Sequence, residues 1–154
     1  MLVAIDEAEK AGLRDEVPVG AAIYDHEHGH IVAKAGNNVR SLNDPTAHAE
    51  ILVIREACKK IGQSRLAFFS LYVTLEPCPM CCQAISFARL PKLVFGAYDT
   101  KGGGVEHGPK IFSHPTSHHY LEILGGIEEQ RCGELLSDFF NKKRQEGSSV
   151  EKKP

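Results

Sequence analysis

The sequence predicts an α/β protein: a three-layer α/β/α sandwich with a central mixed sheet of about five strands, covered by helices on both faces. Three observations lead there. Short runs rich in β-branched and aromatic residues alternate with longer segments whose apolar residues recur at helical spacing. Apolar residues make up 42% of the chain, yet tryptophan is absent and aromatics reach only 7%, so aliphatic side chains must carry the packing. The 154 residues hold no internal repeat or linker and suit one domain, placed at 1–146, with a polar tail at 147–154 expected to be disordered. A domain of this size buries roughly 68–70% of its unfolded surface, so it needs no disulfide or metal merely to fold.

Each element has its own signal. Leu2, Ile5, Ala8 and Ala11 recur at helical spacing among charges and predict a first helix over Leu2–Leu13. Val17–Tyr24 reads as a strand and Ile31–Ala35 as its hairpin partner, with the polar turn Asp25–His30 between them. His26, His28 and His30 alternate in that turn and are expected at a solvated hairpin tip. Asn37–Asn43 is a polar loop. Asp44-Pro45-Thr46 has a capping side chain and a first-turn proline, predicting a helix start there, followed by Ile51, Leu52, Ile54, Ala57, Cys58 and Ile61 at helical period. Phe68–Leu75 is a strand stopped by Pro77, and Pro79 opens a helix through Leu90. Leu93–Tyr98 is a further strand, Lys101–Gly108 a glycine-rich loop, Tyr120–Leu124 a short strand and Glu128–Gln145 a final amphipathic helix.

Composition excludes several classes. A net charge of −2 gives no overall attraction to polyanions, so any such contact must come from a local patch such as Lys142, Lys143 and Arg144. That cluster is equally well explained as an ordinary solvated helix end, where cations suit the dipole. No apolar run approaches the ~20 residues of a membrane helix. Three acids among the first ten residues are wrong for a secretory or mitochondrial leader, so a cytoplasmic location and no membrane partner are expected. Five cysteines is an odd count, and Cys78, Cys81 and Cys82 are too close together for a disulfide framework.

Two motifs carry chemistry: His48-Ala49-Glu50 and Pro77-Cys78-Pro79-Met80-Cys81. Cys78 and Cys81, at i and i+3 where a helix opens, present both sulfurs on one face, and the helix N-terminus favours thiolate. His48, from another helix, supplies a third donor of a type zinc accepts. Three protein ligands leave the fourth tetrahedral position open, the mark of a catalytic zinc, where water would be acidified to roughly pKa 7. Glu50 is poorly placed as a ligand and well placed to move protons. Each motif alone says little. A His and a Glu are common on helix surfaces, and C-x-x-C also fits a redox pair or half of a structural zinc site. Redox use wants a thioredoxin-like context and a structural zinc wants four ligands; the chain supplies neither. Taken together, H-x-E and P-C-x-x-C form the known signature of zinc deaminases that act on nucleobases.

The stretches Val17–Ala21 (VPVGA), Asn43–Ile51 (NDPTAHAEI), Leu71–Cys78 (LYVTLEPC), Val94–Gly102 and Leu135–Phe140 (LLSDFF) closely resemble the bacterial tRNA-specific adenosine deaminases. The resemblance runs from about Glu7 to Gln145. It implies a cytidine deaminase-like fold and a homodimer with one Zn2+ per subunit. It also implies an anticodon stem-loop gripped at the subunit interface, whose wobble adenosine in an arginine tRNA becomes inosine. By the same resemblance, His48, Cys78 and Cys81 hold zinc and Glu50 shuttles protons. Asn37 would bond the flipped base, and the backbone around Ala49 and Pro77 would complete its pocket. Asp99 would lie near the target ribose and Phe140 near the anticodon loop. Lys101, Lys110 and the Lys142–Arg144 cluster would meet phosphates. His118-His119 falls in a segment that lines the family's RNA groove. A free-nucleobase deaminase acting on guanine or cytosine is the competing enzyme, and a zinc-stabilised binding module without turnover is a third reading.

Overall fold

The computed structural model describes residues 1–150, with side chains as far as Glu146. Five strands form one mixed sheet in the order β2-β1-β3-β4-β5. β1 (Gly20–Asp25) pairs antiparallel with both β2 (His30–Gly36) and β3 (Phe69–Leu75). β3, β4 (Lys92–Ala97) and β5 (Glu122–Leu124) run parallel. Helices cover both faces, as the alternation of elements predicts.

α1 (Leu2–Leu13) and α5 (Glu129–Val150) lie together against one face, whereas α3 (Ala49–Ile61) and α4 (Pro79–Phe87) lie against the other. The large core is on the α3/α4 side, where Val53, Ala57 and Ile85 meet Ile23, Leu71, Val73 and Phe95. A small cluster of Ile5, Ala97 and Cys132 closes the other side. α1 sits so close to β1 that a Cβ at Gly20 would fall 2.0 Å from the Ala4 carbonyl oxygen, so only glycine fits there. Among the described residues no helix is long and apolar enough to cross a membrane.

The hairpin tip is as expected. Asp25 accepts hydrogen bonds from the Glu27 and His28 amides, and the His28 ring binds its other oxygen. Strand limits differ from expectation by one to three residues. β1 starts at Gly20 rather than Val17 because Pro18 has no N–H for a ladder and the Val19 amide turns back to the Val17 carbonyl.

Two differences matter for the site. The loop 37–43 contains a single helical turn, α2 (Val39–Leu42), closed by Asn43 at φ 50°. The helix expected from Asp44 begins only at Ala49. Asp44 does use its capping oxygen, but on a turn: Oδ1 accepts from the Thr46 amide and hydroxyl. His48 is thus the residue before the helix, in extended conformation at φ −71°, ψ 151°. At the other end, α5 runs on to Val150, so residues 147–150 of the expected tail are helical; 151–154 lie outside the described residues.

Because β1 is antiparallel to β3, the entry to β1 and the exits of β2, β3 and β4 meet at one end of the sheet. Glu16–Val19, Asn37, Leu75–Glu76 and Asp99 gather there. Such strand ends are where open α/β sheets bind ligands.

Candidate metal centre and cleft

His48 and Cys78 are each the residue preceding a helix, α3 and α4, and both are extended, Cys78 at φ −68°, ψ 167°. Pro79, whose missing N–H costs nothing in the first turn, fixes α4's direction. One donor atom from each of His48, Cys78 and Cys81 lies within 4.8 Å of the other two. The His48 Nδ1 is 3.7 Å from the Cys78 sulfur and 3.5 Å from the Cys81 sulfur. A nitrogen and a sulfur bound to one tetrahedral zinc at about 2.0 and 2.3 Å lie about 3.6 Å apart, so the donor set fits zinc without rearrangement. Cys82 is not part of it, since its thiol meets the Pro77 carbonyl at 3.4 Å.

Of the two thiols, Cys78 is the more acidic. A hydrogen bond from the Cys81 thiol, helped by His48 and the Cys81 amide, holds Cys78 well below the ordinary thiol range. Cys81 gives that bond and is buried, so it is pushed up. Glu50 is 4% exposed, and burial pushes its carboxyl up to about 7. Its Oε2 is the sole buried side-chain N or O atom without a partner among the described residues. An unpaired buried carboxylate oxygen costs stability and points to a role outside folding.

His48, Glu50 and Cys78 line a cavity of about 480 Å³. Asn37 and Asp99 line it too, together with Glu16, Glu76, Arg40, Phe139 and Lys143. Asn37 spends its side-chain carbonyl on the Ala49 amide, at 2.8 Å, in the first turn of α3. Asn38 instead precedes α2 and bonds the Ala47 carbonyl through its amide. Asp99 Oδ1 accepts from the amides of Lys101 and Gly102. The Pro77 carbonyl takes the Gly104 amide. Neither Ala49 nor Pro77 lines the cavity: the amide of one and the carbonyl of the other brace its walls.

Phe140 lies in an adjoining groove of about 760 Å³ with Tyr98, Lys101 and Arg144; Val17, Leu75, Asp99 and Lys143 border both spaces. Lys110 and Lys142 line neither of the two. His118 borders a separate depression beside α4, and the His119 ring bonds the Leu90 carbonyl. Sequence reasoning misses Glu16, Glu76 and Phe139. Glu16 is buried and accepts from the amides of Arg40 and Ser41, fixing α2 at the cavity rim.

Residues 1–97 match the family model described as the cytidine and deoxycytidylate deaminase zinc-binding region. Over 144 residues the chain is 53% identical to a tRNA-specific adenosine deaminase of Agrobacterium fabrum, spanning 94% of this chain and 93% of that one. The chain belongs to the tRNA-specific adenosine deaminase family. A second relative, from Bacillus subtilis and with the same description, is 43% identical over 152 residues, 99% of this chain and 93% of its own. A solved structure from work on A-to-I editing by tRNA:A34 deaminases superposes at TM-score 0.85, with 53% identity over 88% of this chain and 97% of that one. Family membership makes the chain a hydrolytic deaminase with a zinc-binding region, and His48, Cys78 and Cys81 form a group that could hold the ion.

Proposed function

We propose that this chain hydrolyses the wobble adenosine (position 34) of an arginine tRNA to inosine and ammonia. It would act in the cytoplasm as a homodimer that holds the anticodon stem-loop at the subunit interface. The observation that carries the reading is Glu50, a buried carboxylate with one unpartnered oxygen, two residues from His48 of the three-donor metal group and on the wall of a cavity with room for a nucleobase.

His48, Cys78 and Cys81 would hold zinc, which would supply the Lewis acidity that draws the pKa of water toward about 7. Glu50 accepts a proton from the attacking water and returns it to N1 of the adenine. The proton of the new C6 hydroxyl then passes, again through Glu50, to the C6 amine; the C6–N bond breaks as the carbonyl forms, so adenosine and water give inosine and ammonia. Asn37 orients the base and Asp99 stands at the rim, beside the ribose. Phe140, 45% exposed, offers an aromatic face for a loop base in the adjoining groove. Lys101 and Lys143 border that groove with cations for phosphate. Extruding the base costs at most a few kcal/mol, because the anticodon loop is already single-stranded.

The test is to incubate the protein with an arginine tRNA anticodon stem-loop, with other stem-loops carrying adenosine at position 34, and with free adenosine, guanine and cytosine, reading inosine and ammonia. Inosine from the arginine stem-loop alone supports the proposal. Turnover of free guanine or cytosine without the stem-loop favours the free-base reading. Sedimentation at twice 16.9 kDa is expected for the dimer.

A further inference from the structure

Glu76 directly follows β3, two residues before Cys78, and it is 2% exposed. Its carboxylate accepts five hydrogen bonds, all from residues 99–107. Oε1 takes the amides of Val105, Glu106 and His107 at 3.1, 2.8 and 3.0 Å. Oε2 takes the Asp99 amide at 3.1 Å and the His107 ring at 2.7 Å. Burial alone would raise this carboxyl; the bonds from His107, Glu106 and Asp99 outweigh it and hold the group below its ordinary range.

The loop wraps the carboxylate tightly. A Cβ at Gly103 would fall 2.6 Å from the Glu76 carboxyl carbon. One residue on, a Cβ at Gly104 would fall 2.8 Å from the Pro79 nitrogen, so the same loop is pressed against the start of α4. The Gly104 amide also bonds the Pro77 carbonyl at 2.8 Å. Asp99 and Gly102, at the start of the loop, line the cavity, as does Glu76.

We propose that Glu76 is a positioning residue for deamination: its buried carboxylate gathers residues 99–107 into the cavity wall and thereby sets where Asp99 and the loop backbone meet the substrate. The kinetic part of this rests on the adenosine deaminase reading, whereas the structural part stands without it.

Glu76→Gln tests both. It keeps the size of the side chain but replaces one accepting oxygen with an NH2 group that faces N–H donors. The stem-loop KM is expected to rise about tenfold or more, because a displaced wall misplaces the substrate, with kcat changing less than about threefold. Zinc should remain at one per chain. The amides of Asp99, Val105, Glu106 and His107 should exchange with deuterium far faster than in the wild type, with the rest of the core unchanged. Lower stability alone would act differently, reducing kcat by lowering the folded fraction and leaving KM in place. That result, or native KM with native protection of those four amides, overturns the proposal. If Glu76→Gln does not fold, Gly103→Ala makes the same test by steric means, since its methyl group displaces the loop from an intact carboxylate. It should raise KM and loosen the same amides; a native KM there also overturns the proposal. If the wild type makes no inosine from the stem-loop, the functional reading fails, while exchange and zinc content still decide the role of Glu76.

Discussion

His48, Glu50, Cys78 and Cys81 are carried by the openings of α3 and α4, and Glu50 and Cys81 are closed to solvent. The rim of the same cavity is built differently. Asp15 lies in the turn after α1, Arg40 on a single helical turn and Lys143 on α5, while Lys101 borders the adjoining groove from the glycine-rich loop. Asp15 pairs with Arg40 and, at 2.5 Å, with Lys143, through side chains that are 49%, 64% and 36% exposed. The contrast separates two tasks. Donors that must meet one small ion within tenths of an ångström are fixed by rigid backbone, whereas the rim charges sit on long side chains in water, where a flexible polyanion would meet them under the proposed function.

The largest expected effect lies at the inner end. A chelator should remove activity altogether and leave the far-UV circular dichroism of the sheet and helices largely intact, because none of His48, Cys78 and Cys81 belongs to the large core cluster. Unfolding on chelation would break the comparison, since the inner end would then be structural. Next comes Glu50→Gln. We expect kcat to fall by about 10²- to 10⁴-fold with zinc content unchanged, as measured by metal analysis alongside turnover. A variant with near-native kcat would move the proton transfer to another group.

The inner end is also the part legible in the sequence, and for the same reason. His48, Glu50, Cys78 and Cys81 lie in two short stretches, so local spacing sets most of their geometry. The five-stranded sheet is legible because strands and helices alternate with clear punctuation. Where sequence and structure part, one chemistry has two uses: Asp44 caps a turn with the oxygen that would serve equally well at a helix start. Glu76 and Glu16 cannot be found from spacing. Each is a single acid whose partners are backbone amides more than 20 residues distant, and amides leave no mark in a sequence. Phe139 and Phe140 look alike in the sequence, because neighbours on a helix differ by about 100° in direction and only packing shows which one faces the cavity.

Smaller effects belong to the rim. Lys101→Ala and Lys143→Ala should each raise the stem-loop KM severalfold at low salt with little change in kcat. For each phosphate that is no longer neutralised, the log–log salt dependence should flatten by about 0.7. A lysine variant that altered kcat instead would blur the division of tasks. The smallest expected change has the opposite sign. Asp15→Asn removes the acid that holds Arg40 and Lys143, so binding should tighten by about two- to threefold at low salt, the scale of an exposed ion pair, and the gain should vanish at high salt. Titration of stem-loop affinity across ionic strength measures both.

The bond from the Ala49 amide to Asn37 settles the polarity of the cavity's reading edge. One lone pair of the Asn37 carbonyl is held by the helix, which turns its NH2 group outward as the donor. Under the proposed function, a base that meets this donor is favoured where it presents a lone pair, as a ring nitrogen or carbonyl does and an amino group does not, so the start of α3 would bias the choice of base before any chemistry begins.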